Sequence, residues 1–148
     1  MSKASGSPPL RLLAQDAEDI QVISAALQDA VAKVGDIAYE PRPRRLTIAL
    51  NRFRWERQGA AARQRVRSAL QFGSVLSVKS RRLRREPGDA VVALLAVDFR
   101  PGPAPGGQIL LSFAGGADLM LEVECLDGVL ADVSDPWPTT RSPRHELG

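Results

Sequence analysis

Cysteine and histidine are almost missing from these 148 residues, which hold one of each. A lone Cys125 excludes an intrachain disulfide framework, and with His145 as its only companion no zinc site of ordinary ligand type can be assembled in one copy of the chain. A Ser/His/Asp or Cys/His arrangement would need His145, three residues from the C-terminus in a Pro-rich stretch, to fold back into a cleft. Long apolar runs are missing too. The longest, from Ala90 to Val97, is far short of the ~20 residues that span a bilayer, and residues 1–9 are polar, without the apolar centre of a signal peptide. No phosphate-loop spacing occurs, since Gly106-Gly107 and Gly115-Gly116 sit between extended segments and read as hairpin turns. These absences lead to the expectation of a cytoplasmic protein without membrane contact, and with neither metal nor cofactor.

What is present is an uneven charge distribution. Residues 42–85 hold 14 of the 20 Lys and Arg against one acid, Glu56, a balance of 14 − 1 = +13; the other 104 residues carry about −10, and the overall +3 conceals the split. Such asymmetry marks either a polyanion-facing surface or the solvated outside of an Arg-rich sheet. Composition is otherwise that of a globular domain, at 44% hydrophobic and 25% charged residues. A chain of this length buries roughly two-thirds of the surface it exposes unfolded, enough for one core. We divide it into a disordered leader (1–9), a single domain (10–135) and a Pro-rich tail (136–148).

The periodicity predicts one helix. Asp16 is a plausible N-cap with Asp19 three residues on, and Ile20, Ile23, Leu27 and Val31 follow at helical spacing. A short strand at Leu10, Leu12 and Leu13 precedes it. Beyond Gly35 the period changes to two, with strands at about 34–40, 45–56, 64–80, 90–99, 107–113 and 117–126 joined by short turns, which implies antiparallel hairpins. The segment 90–99 is apolar on both faces, as a central strand between core and helix would be. The expected fold is α+β: a mainly antiparallel, strongly curved sheet or partial barrel of six to seven strands, with one N-terminal amphipathic helix packed on it.

The sharpest binding motif lies in the basic block. Matching apolar positions pairs Leu50 with Leu70 and Ile48 with Phe72, a register that places Phe53 across from Arg67 and Trp55 across from Arg65. Aromatic faces interleaved with guanidinium groups can stack bases and contact phosphates. In the second arrangement a β-bulge near Asn51 swings Phe53 and Trp55 into the core and leaves Arg52 and Arg54 as solvated charges. A further basic run, Arg81, Arg82, Arg84 and Arg85, reads as a solvated turn or a phosphate contact. Trp137, held between two prolines, is expected to dock on its own domain or to anchor a partner. Glu122 and Glu124 share one face of a strand, as a general acid and base could, or as a wet outer face does.

Four segments, Leu12-Leu13-Ala14-Gln15-Asp16, Asn51-Arg52-Phe53-Arg54-Trp55-Glu56, Phe113-Ala114-Gly115-Gly116 and Trp137-Pro138-Thr139, resemble a bacterial protein family catalogued as a domain of unknown function, over about residues 10–145. The resemblance implies a compact cytoplasmic protein and carries no activity, ligand or catalytic residue. The leading functional reading is a non-enzymatic binding or adaptor domain for a protein partner. Its alternatives are nucleic-acid binding through the Arg-rich hairpin 42–85 and a hydrolase or isomerase using Glu122 and Glu124. No catalytic, metal or cofactor residue is assigned; Arg52, Phe53, Arg54, Trp55, Arg65, Arg67 and Trp137 are the candidate binding residues.

Overall fold

The structure is a computed structural model describing residues 9–57, 59, 63–84 and 88–138. The leader up to residue 8, most of the loop 58–62, Arg85 and the tail from residue 139, with His145, lie outside the described residues. The chain opens with β1 (Arg11–Ala14) and α1 (Ala17–Ala26). The helix starts where expected. Asp16 accepts a hydrogen bond from the Asp19 N–H at 2.8 Å while the Asp19 carboxylate accepts from the Gln15 N–H at 2.9 Å, a reciprocal cap. Ile20, Ile23 and Leu27 are buried, but Val31 does not extend the helix. Asp29 turns the chain with φ of 64° and its N–H bonds the Leu94 carbonyl, so Val31 falls in β2 (Val31–Lys33).

Nine further strands follow: β3 (Ile37–Glu40), β4 (Arg45–Phe53), β5 (Gln64–Phe72), β6 (Val75–Arg81), β7 (Val91–Pro101), β8 (Gly107–Phe113), β9 (Asp118–Val123), β10 (Gly128–Asp132) and β11 (Trp137–Pro138). Every pairing is antiparallel, in the order β1-β10-β5-β4-β2-β7-β8-β9-β6, with β3 added to β4 and β11 added to β5. This corrects the expected six to seven strands and partial barrel. Among the described residues the sheet has eleven strands and does not close, because β1 and β6 remain as its two ends.

The extra strands are short, and one long segment is divided. Residues 64–80 form β5 and β6 rather than the one strand expected, because the chain changes partners at Gly73-Ser74. A Cβ on Gly73 would lie 2.8 Å from the Asp127 carboxylate, and Ser74 has φ of 57°. Upstream of this corner β5 pairs with β4 and β10; downstream, β6 pairs with β9.

The core lies on one face of this sheet, where Ile20, Ile23 and Leu27 of the helix meet Leu46, Ile48, Leu50, Leu70, Leu94, Val97, Ile109, Leu111 and Leu130. The Ser24 hydroxyl accepts from the Val97 N–H at 2.9 Å and ties α1 to β7. β7 is central in strand order, yet it is not covered on both faces: Val91 and Leu95 are 63% and 50% exposed. Among the described residues no helix is long and apolar enough to cross a membrane.

The β4–β5 register differs by two residues from the expected one. Ile48 faces Leu70, Leu50 faces Ser68, and Phe53 faces Arg65 rather than Arg67. A shift of two leaves every side chain on its original face, so apolar matching is satisfied by either register. No bulge interrupts β4, whose burial alternates from end to end.

Candidate partner-binding surface at the end of the β4–β5 hairpin

Unbroken alternation in β4 sends Leu46, Ile48, Leu50, Arg52 and Arg54 inward, and Asn51 and Phe53 outward. Directly opposed residues of an antiparallel pair share a face. Arg65 therefore stands between two aromatic residues on the outer face, Phe53 of β4 on one side and Trp137 of β11 on the other. Its guanidinium lies over the Phe53 ring at 4.1 Å from the centroid. Trp55, just beyond β4, tilts against Phe53 with ring centroids 5.0 Å apart and donates its indole N–H to the Gln28 carbonyl at 2.9 Å. Both tryptophans reach solvent, Trp55 being 45% and Trp137 37% exposed. Burial holds the Arg65 guanidinium below its ordinary pKa, and among the described residues it pairs with no carboxylate.

One row along, Arg67 donates to Asn51 Oδ1 and to Asp36 Oδ2, each at 3.1 Å, with the exposed Val133 beside it. Arg67 is thus half committed to its own chain.

Arg52 and Arg54, both proposed from the sequence as contact residues, lie on the opposite face. Arg52 is fully buried and every guanidinium nitrogen is engaged: Nε with Ser68 Oγ and Asp132 Oδ1, Nη1 with Glu56 Oε1 and the Phe53 carbonyl, and Nη2 with Glu56 Oε2 and Asp132 Oδ2. Burial opposes its charge, but the bonds to Glu56 and Asp132 outweigh that and raise its pKa; the same bonds hold both carboxylates below their ordinary values against the cost of burial. Asp132 also accepts from the Leu10 N–H and from Ser68 Oγ, so the network joins β4, β5, β10 and the residue before β1. Arg54 is 5% exposed and bonds one neutral group, Gln64 Oε1.

The sequence held a signal for this arrangement. Arg52 and Arg54 share the parity of Leu46, Ile48 and Leu50, and Asp132 shares that of Leu130. Read strictly, the pattern puts a cation and an acid in the interior, where only pairing makes them tolerable.

The charge block folds back on its own chain. Arg44 pairs with Glu124 at 2.8 Å, Arg45 with Glu40 at 3.0 Å, Arg67 with Asp36 at 3.1 Å and Arg81 with Asp118 at 2.5 Å. Apart from Glu56, the acids facing the block all come from outside residues 42–85. Glu122 accepts from Gln108 Nε2 at 3.0 Å, and with Glu124 it lines a shallow groove beside Leu76 and Arg100. Glu124 is there held by Arg44.

A family model described as "Protein of unknown function (DUF2948)" matches residues 10–145. None of the curated proteins and none of the solved structures matches the chain.

Proposed function

The chain belongs to the DUF2948 family, whose function is not established, and from that premise we propose that it is a non-enzymatic binding domain whose contact surface is the outer-face row Trp55, Phe53, Arg65 and Trp137. The observation that carries this reading is Arg65, stacked over Phe53 and opposite Trp137 in register, with no carboxylate of its own among the described residues. Tryptophan and arginine supply most of the strong contacts at protein interfaces, where surrounding apolar groups exclude water from a charged hydrogen bond. The partner that fits is a protein segment presenting a carboxylate to Arg65 and an apolar or aromatic side chain to the indoles.

Nucleic-acid binding gains support from the stacked Phe53–Arg65 pair and loses it elsewhere, because Arg44, Arg45, Arg52, Arg67 and Arg81 are already matched by the chain's own acids. A phosphate track needs those cations unclaimed.

Selection from a displayed random-peptide library tests the proposal. Wild-type protein should enrich sequences with Asp or Glu next to an aromatic residue, and the Arg65→Ala, Trp137→Ala double variant should not. Equal enrichment by both proteins would overturn the reading. Quenching of tryptophan fluorescence by a single-stranded oligonucleotide, weakening steeply with salt, would transfer the surface to nucleic acid.

A further inference from the structure

Two arginines stand two residues apart on the inner face of the same strand end, both at least nine-tenths buried, and among the described residues only one is neutralised. Arg52 has two carboxylates, a hydroxyl and a carbonyl around it. Arg54 has one amide oxygen, that of Gln64, and no carboxylate partner among the described residues. A guanidinium keeps its charge at physiological pH, so Arg54 holds a positive charge with one donor on Gln64 and the others open to solvent rather than bonded to protein among the described residues.

Arg54 faces a cleft of about 460 Å³ between β5 and the segment 133–136, with Val66, Asp132, Ser134 and Pro136 also in its wall. Of the other polar side chains there, Asp132 and Ser134 are occupied, while the Asp135 carboxylate makes no bond among the described residues. Both Asp132 oxygens are taken by Arg52, Ser68 and the Leu10 N–H. Ser134 Oγ accepts from the Arg67 N–H and donates to the Asp135 carbonyl, each at 3.0 Å. A cavity presenting one unmatched guanidinium favours an anion that two parallel N–H groups can hold.

We infer that Arg54 is the recognition residue of a second site, in this cleft, for a small oxyanion such as a carboxylate or phosphate. The site is separate from the outer-face surface, since Arg54 and Arg65 project to opposite sides of the sheet, and either can fail without the other.

The test is a titration of wild-type protein, at ionic strength held constant with chloride, with inorganic phosphate in one arm and succinate in the other. The side-chain Nε–Hε resonance of Arg54 is followed by NMR and the melting temperature by calorimetry. We expect saturable movement of that resonance with a rise in melting temperature, the stronger arm identifying phosphate or carboxylate as the class. Arg54→Gln should weaken binding by about ten-fold or more, as loss of a buried charged contact does. Asp135→Asn should leave the melting temperature unchanged and tighten binding, since the Asp135 carboxylate, also in the cleft wall, makes no bond among the described residues and repels an anion there. If the Arg54→Gln protein does not fold, the wild-type resonance alone decides. An immobile Arg54 resonance in both arms overturns the inference, as does an undiminished response in Arg54→Gln, or a destabilised Asp135→Asn that would make Asp135 the native counter-ion.

Discussion

Arg52 holds a position that the alternation of β4 would assign to an aliphatic side chain, and its partners make the position tolerable. Removing one member of a buried ion pair leaves the others desolvated and unmatched. Arg52→Ala should therefore lower stability by about 3–5 kcal/mol, read from urea unfolding with an unchanged slope. A loss below about 1 kcal/mol would mean that Glu56 and Asp132 regain water on their own. The same alternation governs the aromatics with the opposite result. Phe53 and Trp55 face outward, so replacing both by Ala removes one hydrogen bond to Gln28, one ring pair and the contact of Arg65 with the Phe53 ring. The expected cost is at most about 3 kcal/mol, against about 3–5 for each ring had it been core. Thermal unfolding of the double variant separates the two cases.

At the level of elements, periodicity, caps and the pairing of successive strands were readable, and partnership between strands distant in sequence was not. The helix start at Asp16 followed from residue types alone, and so did the antiparallel pairing of β4 with β5 and of β7 with β8. What escaped were strands of two to five residues, β2, β10 and β11, too short for a period to register, and the change of partners at Gly73-Ser74. Register within the hairpin escaped for a different reason, since a two-residue slip is invisible to hydrophobic pattern. β10 shows what a five-residue strand can require. It lies so close to β5 that a Cβ on Gly128 would sit 2.6 Å and 2.7 Å from atoms of the buried Phe72 ring. Gly128→Val should overpack this contact and cost about 1–3 kcal/mol or more in urea unfolding. Gly102→Ala, whose added methyl would meet nothing nearer than 3.5 Å, should be nearly silent.

Across the whole molecule, the segregation of charge along the chain becomes complementarity in space. Acids from both flanks reach the central basic block, at Asp36, Glu40, Asp118, Glu124 and Asp132. A charge count by segment could not reveal this, because it depends on which strands lie side by side. The exposed pairs among these contribute little and are screened by salt, so raising ionic strength should barely alter stability. The buried pair behaves otherwise and makes the fold sensitive to acid. Asp132 and Glu56 titrate in the native state below their ordinary values of 3.8 and 4.5, so the unfolded chain binds their protons more tightly. Their contribution is complete above about pH 5 and is lost as pH falls through the depressed native values. Urea unfolding between pH 6 and 3 should show stability declining with acid in the wild type. In Asp132→Asn, already less stable at pH 6, the decline should be shallower. Parallel declines in the two proteins would place the acid sensitivity in other carboxylates and remove this pair from the account.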